Sequence, residues 1–230
     1  MFSVISALSD LCFETLRGAV TRLKERLDEM MEELPEIRMK RMREHAVDLT
    51  FDPDTDGDIV QEVPNNPKRF ETCSEVLAKE GFTTGKFYYE VQVTEKINWI
   101  IGVVRESVDR KENIPLSVHN GYWTIGLDEG IYKAYSTSTL KLTLTEELQK
   151  VGVFVDYDKG SVSLYNADSK SHIYSYTGYK FTEKMFPYFC LQSTKNGTNS
   201  APLIISPIPQ THRVCSSKDH RELTWPLLIL

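Results

Sequence analysis

Paired cysteines are missing from this chain. Its four cysteines, Cys12, Cys73, Cys190 and Cys215, stand apart, with no CxxC pair. A zinc module needs such pairs because four ligands must converge on one ion, so zinc fingers are excluded. Scattered thiols in a chain of 230 residues read as reduced and mostly buried, with a disulfide as the lesser alternative. Long apolar runs are missing too. No stretch reaches the ~18 residues that span a bilayer. The opening MFSVISALSDLC lacks the positive start and apolar block of a secretion signal. The closing WPLLIL is apolar but too short for an anchor. The chain reads as cytoplasmic, with no membrane partner.

Catalytic signatures are also absent. His45, His119, His172, His212 and His220 take part in no HExxH pattern, and neither GxSxG nor GxxxxGKS occurs. Asp156 and Asp158 flank a tight turn. Aspartate favours turns by bonding its own backbone, so a turn role is preferred to a paired acid/base role. No catalytic residue, metal ligand or cofactor site is assigned, and the chain is read as a non-enzyme. A net charge of −6 argues against a nucleic-acid partner.

What is present is the composition of a folded protein. Hydrophobic residues make up 40% and charged residues 26%, outside the disordered class. The first segment is helical. Phe13, Leu16, Val20, Leu23, Leu27, Met30 and Leu34 recur at alternating spacings of three and four, which is a heptad seam. Two readings stand: a coiled coil that pairs two chains, or a lone amphipathic helix packed on the chain's own body. Pro35 is expected to end the helix, and the basic stretch 36–46 to be a solvated helical linker.

From residue 47 the texture turns to strands. In FYYEVQV (87–93), Phe87, Tyr89, Val91 and Val93 share one face, and Tyr88, Glu90 and Gln92 the other. WIIGVV (99–104) is apolar on both faces and reads as a buried central strand. VGVFVDYDKGSVSLYN (151–166) reads as a hairpin, with Gly160 able to take positive φ in its turn. HIYSY (172–176), FPYFCL (186–191) and APLIIS (201–206) complete the series. Short strands with turn signals and no crossover helices between 47 and 206 indicate an all-β antiparallel sandwich. The Trp99 and Trp123 rings are expected in its core.

At this point residues 47–206 resemble a PRY-SPRY domain, as found at the C-terminus of tripartite-motif proteins and in butyrophilins. The matching motifs run in order: VDLTFDPDT (47–55), VPNNPKRF (63–70), GFTTGKFYYEVQV (81–93), IIGVVRESVDRK (100–111), NGYWTIGL (120–127), VGVFVDYDKGSVSLYN (151–166) and SAPLIISP (200–207). The helix resembles the end of the coiled coil that precedes this domain in fish-type members. The resemblance implies a concanavalin-like jelly roll. It divides the chain into 1–35 helix, 36–46 linker, 47–80 shortened PRY segment, 81–207 SPRY domain and 208–230 tail. It departs from the family pattern in three places. No RING or B-box stands in these residues. The PRY part is short, because Asp54-Thr55 runs directly into Asp56-Gly57-Asp58, and a lost strand is expected to open a sheet edge. Tyr89 stands where the family usually has tryptophan.

The resemblance also implies a function: a module that binds a partner protein through its loops, in substrate or pathogen recognition of an E3-ligase-like, innate immune kind. The alternative is a RING-less adaptor or dominant-negative regulator that co-assembles with full-length tripartite-motif ligases. The helix would serve a homodimer in the first case and a heterodimer in the second. Carried over by motif, the binding face includes Ile100, Gly126, Asp128, Lys133, Ser193 and Thr194. Plainer roles remain open for several of them. Ile100 fits a second-face core position, Gly126 a close backbone approach, and Asp128 and Lys133 ordinary turn charges. Some relatives bind antibody through tryptophans at the positions of Gly126 and Asp128. Others bind phosphoantigens through an arginine where Lys133-Ala134 stands. Neither ligand is carried over.

Overall fold

The computed structural model of the chain describes residues 2–55, 68–70, 75–111, 114–191 and 203–208. Among these, one helix, α1 (Phe2–Arg43), precedes eleven strands. They are β1 (Glu75–Leu77), β2 (Lys86–Gln92), β3 (Trp99–Arg105), β4 (Tyr122–Asp128), β5 (Ile131–Tyr135), β6 (Thr139–Leu142), β7 (Lys150–Asp156), β8 (Ser161–Asn166), β9 (His172–Tyr176), β10 (Met185–Leu191) and β11 (Ile204–Ser206). Two antiparallel sheets result. One has the order β1-β10-β3-β4-β5-β6, the other β11-β2-β7-β8-β9.

The expected strands are in place, and β3 is central, between β10 and β4. In the β7–β8 turn Gly160 has φ 63°, and a Cβ there would stand 1.4 Å from the Tyr179 carbonyl oxygen, so only glycine fits. Asp156 accepts the Lys159 amide at 3.1 Å, the local turn role expected of it, whereas Asp158 accepts the Gly85 amide at 3.1 Å and so ties the turn to the start of β2. Strands β1, β5 and β6 go beyond the sequence reading.

The period-two rule directs one face of each strand inward. Phe87, Tyr89 and Val91 of β2 meet Trp99, Ile101 and Val103 of β3, Trp123 and Ile125 of β4, and Val151, Val153 and Val155 of β7. Two tyrosines cross this interior. Tyr89 Oη donates to the Gly102 carbonyl at 2.5 Å, and Tyr176 Oη donates to the Thr124 carbonyl at 2.6 Å. Each bond ties one sheet to the other where no water competes.

Helix α1 differs from expectation. It runs through Pro35 to Arg43, so the helix expected in the 36–46 stretch is present over 36–43 but is continuous with the first segment rather than parted from it at Pro35. A proline removes one amide donor and crowds the preceding turn. Packing beyond Pro35 offsets that loss. Met39 and Met42 are buried against Tyr88 and Tyr165 of the five-stranded sheet. The same cover explains why Tyr88 and Glu90, on the polar side of the β2 pattern, are 0% and 3% exposed. The Glu90 carboxylate accepts Arg43 Nε at 2.9 Å and Tyr88 Oη at 2.9 Å, and lies 3.6 Å from Lys150 Nζ. Burial, reinforced by the Glu90 charge, holds the Tyr88 phenol protonated far above its ordinary range, so it stays a donor. Past the helix, Tyr88 N–H donates to the His45 carbonyl at 2.9 Å and Val47 N–H to the Tyr88 carbonyl at 3.1 Å. Chain and sheet are joined there without a linker.

Two further expectations resolve differently. The short PRY segment leaves no open edge at β1 among the described residues. Residues 50–55 close it: Leu77 N–H donates to Thr55 Oγ1 at 3.0 Å, and Asp52 N–H to the Leu77 carbonyl at 2.8 Å. The heptad residues Leu16, Val20, Leu23, Leu27, Met30 and Leu34 are all exposed, so the seam is not packed on the chain's own sandwich. The side chains of Cys12 and Phe13, Cys73, Cys215, residues 56–67 and the tail from 209 lie outside the described residues, while Cys190 is buried and in no disulfide.

Arg43→Ala removes the strongest partner of a buried carboxylate. Because the Arg43 side chain is 36% exposed, and Lys150 remains, the expected cost is about 1–2 kcal/mol, read as a lower urea midpoint.

Candidate protein-interaction face

The outward side of the six-stranded sheet carries a second apolar cluster. Leu77, Ile100, Val104, Tyr122, Tyr188 and Cys190 form it, capped by Phe70 and Val108 from the flanking segments, with Ile114, Leu116, Tyr135 and Phe186 at its margins. Strand register sets out the residues in rows. One row crosses the whole sheet: Glu75 opposite Cys190, Cys190 opposite Ile100, Ile100 opposite Gly126, Gly126 opposite Lys133, and Lys133 opposite Lys141. Neighbouring strands lie ~4.8 Å apart, so the row from Glu75 to Lys133 spans roughly 19 Å.

Ile100, Gly126 and Lys133, assigned to the face from sequence, are thus consecutive members of one row. Asp128 joins them through an ion pair with Lys133 at 2.6 Å. Their individual roles differ. Ile100 is 3% exposed and fills the outer cluster. Gly126 lets the backbones close up: a Cβ there would stand 2.6 Å from the Trp99 carbonyl oxygen. Asp128 and Lys133 are half-buried and mutually neutralised. Ser193 and Thr194 lie outside the described residues. Trp99 and Trp123 belong to the inner core, at 1% and 6% exposure.

The acidic end of the row was missed. Glu75 sits on β1, a strand of three residues too short to show alternation. It is 8% exposed, and burial raises its carboxyl to about 7, the neighbouring Tyr188 hydroxyl tempering the rise. On β10, Phe186, Tyr188 and Cys190 alternate toward this face, a signal hidden because the opposite side of FPYFCL is apolar as well. Beside the cluster opens a cleft of about 700 Å³, lined by Asp52, Lys68, Val108, Arg110 and Phe186 among others. Arg110 donates to the Lys68 carbonyl at 2.9 Å and lies 5.6 Å from the centre of the Phe70 ring, a cation–π contact. Among the described residues no His, Cys, Asp and Glu cluster is arranged to hold a metal, and no helix is long and apolar enough to cross a membrane. The face offers shape, rings and sparse charge, which is the chemistry of recognition.

A carboxyl raised by folding stabilises in its neutral form. Glu75 therefore contributes nothing adverse below its ordinary range, and stability falls as pH rises from there through about 7. Glu75→Gln should match the native chain at about pH 5 and exceed it at about pH 8, by up to roughly 3 kcal/mol, in urea unfolding at both pH values.

Comparison with known proteins places the chain. A family model for the SPRY domain matches residues 86–204. The E3 ubiquitin-protein ligase TRIM69 of Rattus norvegicus is 42% identical over 150 residues, which is 65% of this chain and 30% of that protein. Butyrophilin subfamily 2 member A2 of Homo sapiens is 38% identical over 187 residues, 75% of this chain and 35% of that protein. The chain spans about a third of the length of these relatives. The solved TRIM65 PSpry domain has a TM-score of 0.55 at 17% identity, covering 66% of this chain and 88% of that one, a likeness of fold. SPRY domains are protein-interaction modules. By sequence pattern, sheet arrangement and family match together, this chain belongs to the SPRY-domain family, in the PRY-SPRY form of tripartite-motif proteins and butyrophilins.

Proposed function

We propose that this chain is a non-catalytic, cytoplasmic recognition module of the tripartite-motif kind. It grips a partner protein on the outer face of the six-stranded sheet and the loops around it, with Ile100, Gly126, Asp128, Lys133, Ser193 and Thr194 in that region. The observation that supports this reading most is the row Cys190-Ile100-Gly126-Lys133, an apolar centre flanked by charge and bordered by an open cleft. Rigid strands hold the row in place while loops frame it, the division of labour by which sandwiches bind. The biological setting is substrate or pathogen recognition linked to ubiquitin transfer and innate immunity. The 42%-identical relative is named as an E3 ubiquitin-protein ligase.

A second reading rests on the exposed seam of α1, from Leu16 to Leu34. An apolar stripe of this length in water calls for a partner helix. Paired with its own kind, the helix gives dimeric display, and weak single sites gain from a raised effective concentration. Paired with a ligase that carries a RING, it makes the chain an adaptor or a dominant-negative regulator.

Three measurements test these readings. Asp128→Ala combined with Lys133→Ala should leave the fold intact and weaken capture of the bound partner about tenfold, the size expected of charges at an interface rim; unchanged capture of every partner would put the face elsewhere. Light scattering should give the mass of a dimer for the native chain and of a monomer for Leu23→Asp with Leu27→Asp. Co-purification with a RING-bearing relative in place of a clean homodimer would favour the adaptor.

A further inference from the structure

We propose that the groove between the end of α1 and the five-stranded sheet is a docking site for a short acidic segment of a partner protein, one that carries an apolar side chain between its carboxylates. The site lies on the sheet opposite the recognition face and does not depend on that reading. One wall is the last turns of α1, through Leu34, Ile37, Arg38 and Arg41. The floor is the outer side of the sheet, where Phe154 of β7 stands opposite Ser163 of β8, with Tyr165 two residues further along β8. His45, whose ring is 6.1 Å from that of Phe154, and Lys86 complete the lining. The groove encloses about 350 Å³, at the small end of ligand clefts.

Charge sets this groove apart. Arg38, Arg41, Lys86 and His45 line it, and no carboxylate does. The cleft beside the recognition face sets Asp52, Glu106 and Asp109 among its cations. The groove along the other side of α1 sets Glu36 and Glu90 among its own. Lys86 has Asp156 at 3.5 Å. Arg38 and Arg41 are exposed and make no ion pair among the described residues, on a chain whose net charge is −6. Their field reaches past the groove. Burial and then the Arg38 charge hold the His172 imidazole below its ordinary range, and that ring lies 5.3 Å from Tyr165. Such a field attracts an anion. The apolar half of the groove narrows the choice. Leu34 and Ile37 are 44% and 42% exposed, and they face the rings of Phe154 and Tyr165 across the groove. A nucleic-acid backbone leaves that apolar surface unused and draws on many more cations than two free arginines. A leucine or phenylalanine flanked by aspartate or glutamate uses both halves, with its side chain on the rings and its carboxylates on the guanidinium forks.

The test pans a random linear peptide library against the full chain. Enriched peptides should include a set with aspartate or glutamate on both sides of one large apolar residue. A fluorescein-labelled synthetic copy of the leading peptide in that set should lose affinity about tenfold or more on Arg38→Glu with Arg41→Glu. Arg38→Lys with Arg41→Lys should lose about threefold, because the charge stays and the planar fork goes. Asp128→Ala with Lys133→Ala should leave the affinity unchanged, which separates this site from the recognition face. Each variant should keep the native mass in light scattering, so that altered helix pairing is not read as lost binding. Should the double reversal fold poorly or change mass, Arg38→Gln with Arg41→Gln takes its place, with a smaller loss expected. Enriched peptides without shared carboxylates, peptides all indifferent to Arg38 and Arg41, or no enrichment at all overturn the proposal. It is equally overturned if oligouridine or phosphatidylserine vesicles bind through the two arginines and no acidic peptide does.

Discussion

Strands β2 and β3 are apolar or buried on both sides, and a strand of that kind has to be covered twice. Stacking two sheets covers each once and creates the shared interior of Trp99, Tyr89, Phe189 and the valines of β7. The remaining outer surfaces are treated differently. The five-stranded sheet receives α1, whose Met39 and Met42 lie on Tyr88 and Tyr165. Among the described residues the six-stranded sheet is covered by flanking segments, through Phe70 and Val108 with Ile114 and Leu116. Burial of apolar surface contributes roughly 25 cal/mol per Å² whichever element supplies the cover. A helix covers continuously, whereas loops leave gaps. The two outer surfaces are thus covered by different kinds of element, a helix on one and flanking segments on the other.

Two buried glutamates express the same inequality in charge. Glu90, under the helix, has Arg43, Lys150 and the Tyr88 hydroxyl around it. Such an arrangement favours one geometry over its neighbours more than it adds stability. Glu75, on the other side, stands opposite Cys190 and is hydrogen-bonded with the Tyr188 hydroxyl. The first carboxylate is satisfied from within the chain. The second is met by a phenol, and burial raises its carboxyl to about 7.

Much of this was legible in the sequence, and the exceptions have physical causes. Inward and outward sides of β2, β7 and β8 follow from alternation, and the turn at Gly160 from its chemistry. The membership of Ile100, Gly126 and Lys133 in one region was legible through family resemblance. Their alignment in a row was not, because register depends on pairing partners distant in sequence. The helix was cut short at Pro35 because local propensity was weighed without Met39, Met42 and Arg43, whose contacts are tertiary. Glu75 escaped notice for a related reason. A three-residue strand carries no period, and an acidic residue in a polar stretch looks solvated until Cys190 and Tyr188 are placed beside it.

The join between α1 and β2 has a mechanical consequence. The chain leaves the helix at Arg43 and is hydrogen-bonded to Tyr88 by residues 45 and 47, so no tether of slack backbone separates them. Whatever grips the helix sets the heading of the sandwich as well. Two copies clasped along their helices would hold their recognition faces at a set interval and angle, like the points of a pair of dividers. Such a device favours targets whose epitopes repeat at that interval, as on an ordered array, and passes over the same epitope when it is scattered.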